Sequence, residues 1–172
     1  MKPVSMRDAP PSLERLTAAD VDAVSALARV VWLATYPSLI SQAQIDAMLA
    51  DRYAPQRIRE QLDDPRQAWW AAKQGHTLVG FAHTMLDEPG CKLDKLYVHP
   101  DHQRHGIGAA LLREVEAWAH RQRAGRLWLQ VNRGNTQAIA AYQKYGFRIV
   151  ESRVFDIGGG FVMDDHLMEK LL

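Results

Sequence analysis

Residues Lys92–Leu112, which read KLDKLYVHPDHQRHGIGAALL, decide the fold because they join a strand to a helix through a glycine-rich loop. Apolar and polar residues alternate up to Val98, as in a strand, and an amphipathic helix begins after the glycines. Pro100 ends the strand, since proline has no N–H for a ladder. Gly106 and Gly108 expose backbone at the first helical turn, where unpaired N–H groups and the helix dipole favour an anion. The stretch therefore predicts a phosphate-binding loop.

Spacing separates the known kinds of phosphate-binding loop. A dinucleotide loop needs a third glycine where Leu111 stands, and a nucleoside triphosphate loop needs Lys and Ser or Thr where Ala109 and Ala110 stand. What remains is a Q-x-x-G-x-G arrangement from Gln103 to Gly108. It resembles the pyrophosphate-binding motif of the GNAT superfamily of N-acetyltransferases, whereas the plainer alternative is a tight turn at a helix start.

This resemblance implies a binding site for acetyl-coenzyme A, with loop amides on the pyrophosphate and strand backbone on the pantetheine arm. A second motif, N-x-x-A-x-x-x-Y-x-K-x-G-F over residues 135–147, resembles the other half of the same site. Arg104 and Lys144 are candidate partners of the phosphates. The cofactor-binding residues implied are Leu96, Tyr97, Val98, Gln103, Arg104, His105, Gly106, Ile107, Gly108, Ala109, Asn135, Tyr142 and Lys144.

The composition indicates one globular domain over residues 1–172, with residues 1–11 as a flexible lead-in. Lys and Arg number 21 against 20 Asp and Glu, which favours neither nucleic acid nor membrane as a partner. Cys91 is the only cysteine, so no internal disulfide forms. These features, and the lack of a signal peptide or apolar span, predict a cytoplasmic protein that binds a small molecule. A second copy of the chain is a further candidate partner.

Periodicity and turn residues predict the element order βαααβββαβαββ. Ser41 and Gln44 form a predicted capping box, Gly125 a predicted helix end, and Asp87–Gly90 a predicted turn. The predicted strands cover 13–16, 68–73, 77–85, 92–98, 126–131, 147–156 and 161–171, and the predicted helices begin at residues 17, 41, 55, 106 and 135. The fold class is α/β, a GNAT-like mixed, mostly antiparallel sheet of about seven strands flanked by helices.

Acyl transfer to an amine needs a neutral nucleophile and a donor for the departing thiolate. The family resemblance makes Tyr142 the candidate general acid, and the alternative is an aromatic residue that only fills the core. The family's usual acidic residue falls on Lys92, so Asp94 becomes the candidate base, expected on one strand face with Leu96 and Val98. His83 is a second candidate, although a lone strand histidine is commonly structural.

His99, His102 and His105 flank the predicted loop without a carboxylate or cysteine at metal-ligand spacing, so basic lining of an anion site is preferred and no metal is expected. The family resemblance implies a primary amine as the acceptor. The ending GGGFVMDDHLMEK and the helices of residues 36–62 resemble the PaiA-like polyamine acetyltransferase branch. The alternatives are a protein or peptide amine acetyltransferase and a non-catalytic coenzyme A-binding regulator. Acids available to a polyamine are Asp87, Glu88, Asp164 and Asp165.

Overall fold

The structure, a computed structural model, describes residues 10–88 and 90–172. Residues 1–9 of the expected lead-in, and Pro89 in the expected turn, lie outside the described residues. The strands are β1 (Ser12–Arg15), β2 (Gln67–Gln74), β3 (Thr77–Leu86), β4 (Cys91–Val98), β5 (Arg126–Asn132), β6 (Arg148–Gly158) and β7 (Phe161–Leu171). The helices are α1 (Val21–Thr35), α2 (Gln42–Arg52), α3 (Pro55–Leu62), α4 (Ile107–Arg121) and α5 (Thr136–Lys144). The predicted element order is confirmed.

The described strands form one sheet in the order β1-β2-β3-β4-β5-β7-β6, in which only β4 and β5 are parallel neighbours. Consecutive strand residues point to opposite faces. Trp69 therefore joins the core beneath α1, α2 and α3, while Trp70 joins the core beneath α4 and α5. This confirms the predicted mixed, mostly antiparallel sheet with helices on both faces.

A β-bulge in β4 opens the sheet at its centre. Thr84 pairs with Leu93 and His83 with Lys95, so Asp94 is the extra residue of the bulged strand. Bulges bend the strand that carries them. Accordingly β4 pairs with β5 only at Cys91 and Lys92, and beyond that point the two parallel strands separate. The gap between them is the opening into which the two predicted motifs face.

The bulge also corrects the predicted orientation of Asp94. Leu96 and Val98 pack against the core beneath α4, but the Asp94 carboxylate contacts Lys95 and His83 on the other face. The prediction that Asp94 shares a face with Leu96 and Val98 is therefore wrong. A bulge inserts one residue into the strand, so the two-residue alternation loses its phase at that point.

Two predicted helix ends differ in detail. Ser41 Oγ accepts the Gln44 N–H at 3.1 Å, but the Gln44 side chain donates to the Val162 carbonyl instead of closing a capping box. At the end of α4 the left-handed residue is Arg123, with φ of 59°, and not Gly125. The Ala124 N–H bonds to the Ala119 carbonyl at 3.0 Å, which is the Schellman pattern. The left-handed residue therefore lies two residues before the predicted glycine, and α4 ends at Arg121.

Candidate functional site

A cavity of about 840 Å³ lies in the opening between β4 and β5 and extends towards α1 and α2. Most of the residues predicted for the site line it. These are Asp94, Leu96, Tyr97, Val98, Gln103, Arg104, Gly106, Ile107, Gly108, Asn135 and Tyr142. Three other predicted residues, His105, Ala109 and Lys144, are not part of its lining. The structure thus brings the two sequence motifs together on one cavity.

The loop before α4 presents a run of free backbone donors at one end of the cavity. Within residues 10–88 and 90–172, no protein acceptor faces the N–H groups from Gln103 to Ala109. Arg104 and Gly106 take left-handed conformations, with φ of 66° and 80°, which turn successive N–H groups into a concave surface. A Cβ on Gly108 would meet only Val98 Cγ2, at 3.8 Å. The loop and the helix dipole suit a phosphate group.

The exposed edge of β4 continues from this loop into the opening. The backbone of residues 96–98 pairs with β3 on one side, but β5 has already separated on the other. Gln103 Nε2 donates to the Val98 carbonyl at 3.1 Å and ties the loop to the end of the strand. An extended ligand arm with amide groups could bind along this edge as a further strand does.

Tyr142 enters the cavity from α5, on the side opposite to α1. The Asn135 side chain caps this helix by accepting the Ala138 N–H at 3.3 Å, and Tyr142 lies two turns further on. Its ring packs edge-on against Phe147, with centroids 5.6 Å apart. Burial raises the pKa of the Tyr142 phenol. The hydroxyl therefore keeps its proton at neutral pH and is available as a donor.

Asp94 lies in the cavity wall at the centre of a cluster of cations. Its Oδ2 is 2.5 Å from the Lys95 ammonium, and its Oδ1 is 3.4 Å from Arg52 and 3.8 Å from Lys92. Burial alone would raise the pKa of Asp94, but the charges of Lys95 and Arg52 hold it well below its usual range. A carboxylate stabilised in this way is a weak proton acceptor.

His83 lies behind Asp94 and is not part of the cavity lining. Its ring is fully buried and stacks on Trp69, with centroids 4.5 Å apart. The Gln67 side-chain N–H donates to Asp64, so the Gln67 carbonyl oxygen faces His83 Nε2, at 2.8 Å, and accepts a hydrogen bond from its N–H. Burial lowers the pKa of His83 to about 4, which leaves Nδ1 without a proton at neutral pH.

The 3.0 Å contact between His83 Nδ1 and Asp94 Oδ2 still requires a proton between two acceptors. The Lys95 ammonium bridges the two acceptors with its N–H groups, since it lies 2.5 Å from Asp94 Oδ2 and 3.5 Å from the His83 nitrogen. Burial in turn lowers the pKa of Lys95 to about 8, with the Asp94 charge opposing the shift. The three side chains form a buried structural unit at the bulge.

Asp165 lines the same cavity from β7 and has no such partners. It is 4% exposed, and its Oδ1 has no hydrogen-bond partner in the described part of the chain. Burial raises the pKa of Asp165 to about 6, and the charge of Arg52 opposes the shift. The sequence carried a signal for it, because Asp165 interrupts the inward-facing row formed by Phe161, Met163 and Leu167.

The wall towards α1 and α2 is aromatic and basic. The hydroxyls of Tyr36 and Tyr97 lie 3.1 Å apart, and Trp32 packs beside both rings. Arg52 and Lys92 bring two cations to this wall. Sequence reasoning missed Arg52, because its approach to the bulge depends on how α2 packs and leaves no local pattern.

The other predicted acids lie away from the cavity. Asp87 accepts from Trp128 Nε1 at 2.8 Å, Asp164 faces Arg133 at 3.5 Å, and Glu88 is exposed. Among the described residues, no three His, Cys, Asp or Glu side chains gather in a way that would hold a metal ion. No helix in the described ranges is long and apolar enough to cross a membrane.

Comparisons with known proteins agree with this geometry. The family model described as "Acetyltransferase (GNAT) family" matches residues 31–147. An uncharacterised N-acetyltransferase of Mycobacterium tuberculosis is 31% identical over 154 residues, covering 89% of this chain and 99% of the relative. A spermidine N(1)-acetyltransferase of Thermoplasma acidophilum is 23% identical over 156 residues, covering 88% of this chain and 94% of the relative.

The crystal structure of PaiA N-acetyltransferase from Thermoplasma acidophilum, in complex with coenzyme A, has the same fold. It superposes with a TM-score of 0.83 at 23% identity, over 95% of this chain and all of that one. The segment that matches the family model contains the glycine loop, the opening between β4 and β5, and Tyr142 of α5. The chain is an acyltransferase that belongs to the GNAT family of N-acetyltransferases.

Proposed function

We propose that the protein transfers the acetyl group of acetyl-coenzyme A to the primary amine of a small molecule, with a polyamine as the first acceptor to test. The observation that carries this proposal is the continuity of one cavity. Its lining joins the free N–H groups beside Gly106 and Gly108 to the Tyr142 phenol and the Asp165 carboxyl. Anion binding, a proton donor and a buried carboxyl are the parts that amine acetylation needs.

Coenzyme A would bind with its pyrophosphate on the N–H groups of residues 103–109. Arg104 is the side chain best placed to add positive charge, since it belongs to the loop and lines the cavity. The pantetheine arm would lie along the free edge of residues 96–98, which brings the thioester towards Tyr142. The PaiA structure supports this assignment, because it has the same fold and was solved in complex with coenzyme A.

Tyr142 would act as the general acid when the thiolate leaves. An isolated thiolate in a buried site is poorly solvated, so a hydroxyl that donates to the sulfur lowers the barrier to collapse of the tetrahedral intermediate. The raised pKa keeps that proton on Tyr142 until the sulfur becomes negative. Asn135 contributes indirectly by capping the helix that carries the tyrosine. The earlier assignment of Asp94 as base remains a prediction, and its ion pairs favour a structural role.

The charges in the cavity decide how a polyamine could bind. Asp94 offers little free charge, because Lys95, Arg52 and Lys92 already contact it. Asp165 would receive the reacting ammonium, and Asp156, which also lines the cavity and is exposed, would receive a second one nearer the solvent. The name of the Thermoplasma relative, a spermidine acetyltransferase, supports this acceptor class.

A peptide amine is the alternative acceptor. Leu39, Phe155 and Ile157 line the cavity on the side of the β6–β7 hairpin and could receive an apolar side chain next to a terminal amine. Such an acceptor would bind mainly through apolar contacts, whereas a polyamine would bind mainly through charge. The two classes therefore differ in their response to salt.

A second copy of the chain is the proposed partner at the β6 edge. β6 is the last strand of the sheet, and Val154 and Val162 on this hairpin are 59% and 51% exposed. Unpaired strand edges with apolar side chains are covered in most soluble proteins. Light scattering on wild type and Val154→Lys tests this, and a wild-type monomer at all concentrations would reject it.

The direct test of function is thiol release from acetyl-coenzyme A with a panel of amines. The panel holds spermidine, propylamine and short peptides with a free amino terminus, and mass spectrometry identifies the acetylated product. We expect amine-dependent thiol release with at least one member. Thermal stabilisation by acetyl-coenzyme A without thiol release from any amine would instead indicate a coenzyme A-binding regulator.

A further inference from the structure

Asp165 is the one acid in the cavity wall whose carboxyl makes no ion pair or hydrogen bond, among the residues that the structure describes. It lies opposite Asn132 on β5 and opposite Arg153 on β6. Arg153 does not pair with it, because its guanidinium contacts Glu151 at 2.6 Å and lies over the Phe155 ring. A buried carboxyl with no partner costs folding free energy, so its position in the cavity wall points to a ligand or a reaction.

We propose that Asp165 is the general base that takes a proton from the ammonium of the acceptor. This inference rests on the proposed acetyl transfer and names the residue that makes the amine nucleophilic. An alkyl ammonium with a pKa of about 10.4 is neutral in only about one molecule in two thousand at pH 7. A base at the point of attack gives the departing proton an acceptor inside the buried site as the N–C bond forms.

The groups that face Asp165 are consistent with this role. Arg52 on α2 and Lys92 on β4 lower its pKa, Asp164 on β7 raises it, and Tyr97 on β4 lies within electrostatic range. Burial outweighs the two cations, and the pKa of about 6 lies close to neutral pH. A base with such a pKa is ionised when the acceptor arrives and accepts a proton more readily than Asp94, whose pKa is held well below its usual range.

The steps balance as follows. The ammonium gives one proton to the Asp165 carboxylate, and the nitrogen lone pair then forms the N–C bond while the carbonyl π electrons move to oxygen. Collapse of the tetrahedral intermediate breaks the C–S bond, and the sulfur takes the Tyr142 proton. The nitrogen loses its second proton to the Tyr142 phenolate. Asp165 then returns its proton to water, so the products are the amide, free coenzyme A and one proton.

The test compares Asp165→Asn with Asp164→Asn, a matched neighbour that faces Arg133 outside the cavity. The probes are propylamine, spermidine and O-ethylhydroxylamine, an alkoxyamine of the size of propylamine that is neutral at pH 7. We expect Asp165→Asn to lower kcat/KM for the two alkylamines by about 10²- to 10⁴-fold at pH 7 and to change it less than about tenfold for the alkoxyamine. Activity of the variant should recover as the pH approaches the pKa of the amine.

Loss of activity towards all three probes alike would overturn the base role and leave a structural one, and so would a loss smaller than about threefold with propylamine. A second readout needs no acceptor: carbon NMR titration of ¹³C-labelled aspartate, assigned by difference from Asp165→Asn. A carboxyl that titrates above pH 5 supports the proposal, and one that titrates below pH 4 overturns it. If wild type acetylates no amine, the proposed function fails while this titration still decides whether Asp165 has the properties of a base.

Discussion

The Lys95 ammonium lies 2.5 Å from Asp94 Oδ2, although the two residues are neighbours in one strand and would ordinarily point to opposite faces. The bulge in β4 allows this contact, and the ammonium also lies over the rings of Tyr53 and Trp69, at 5.4 and 5.3 Å. The pair joins the bent part of β4 to the core beneath α1. The geometry that opens the cavity therefore depends on a buried ion pair.

Breaking this pair should destabilise the protein. We expect Asp94→Asn to lower the free energy of unfolding by about 3–5 kcal/mol, because Lys95 would be left buried without its counter-ion. Urea denaturation measures the change. Asp94→Asn combined with Lys95→Met should regain a large part of the loss, since the unpaired charge is then absent. A double variant less stable than Asp94→Asn would contradict this account.

The loop of residues 103–109 should be needed for binding of acetyl-coenzyme A but not for folding. Gly108→Val should abolish the rise in Tm that acetyl-coenzyme A gives, because its side chain would cover N–H groups of the first helical turn. The apo fold should persist, since a Cβ at Gly108 meets only Val98 at 3.8 Å. Gly125→Val is the matched control, because a Cβ there meets no atom within 4 Å and Gly125 follows the other end of α4 from the loop. A full ligand shift in folded Gly108→Val would refute the assignment of the loop.

Tyr142→Phe should lower kcat by about ten- to a thousandfold and leave the affinity for acetyl-coenzyme A nearly unchanged. The hydroxyl matters mainly when the thiolate departs, whereas the ring still packs on Phe147. Single-turnover kinetics measure the chemical step, and calorimetry measures binding. Tyr145→Phe, at the C-cap of the same helix, serves as control. If Tyr142→Phe keeps the full single-turnover rate, Tyr142 is not the general acid and only packs in the core.

Two buried groups should give opposite pH dependences of stability between about pH 6.5 and pH 4. His83 has a folded pKa lowered to about 4, so the unfolded chain binds the extra proton and acidification destabilises the native state. Asp165 has a folded pKa raised to about 6, so the native state binds the extra proton and acidification stabilises it. Asp165→Asn should therefore lose stability more steeply than wild type as the pH falls.

Urea denaturation at pH 7 and pH 4.5 measures these slopes. His83→Gln should change in the opposite direction and lose less stability on acidification than wild type, because the His83 contribution is removed while that of Asp165 remains. Asp164→Asn, at an exposed position, should follow wild type. Identical slopes in wild type and Asp165→Asn would show that Asp165 titrates at its ordinary pKa.

The features that the sequence predicted are those encoded by neighbouring residues. The glycine loop, the helix that begins at Asn135 and the strand of residues 126–131 each depend on spacings of a few residues, and the structure contains all three. The left-handed position at the end of α4 is Arg123 and not the predicted Gly125. A Schellman turn can place a residue other than glycine in the left-handed region, at a cost of about 1 kcal/mol.

The features that were missed depend on contacts between distant segments. The bulge at Asp94 follows from pairing between β3 and β4, and it reverses the face on which the predicted base lies. Arg52 reaches Asp94 across 42 residues of sequence. Asp165 was visible as an acid in a strand, but its lack of an ion pair depends on Arg153 binding Glu151 instead. Such pairings leave no mark in local periodicity.

The acceptor class can be decided by salt dependence. A polyamine bound by Asp165 and by Asp156 at the mouth of the cavity should lose kcat/KM as salt rises, since exposed charge pairs are screened over about 8 Å at physiological ionic strength. Propylamine, with one charge, should lose less. Asp156→Asn should reduce the preference for spermidine over propylamine by about two- to fivefold, because an exposed pair contributes at most about 1 kcal/mol. Asp164→Asn, outside the cavity, should not. Turnover restricted to peptides, and indifferent to both salt and Asp156, would reject the polyamine and establish the peptide alternative.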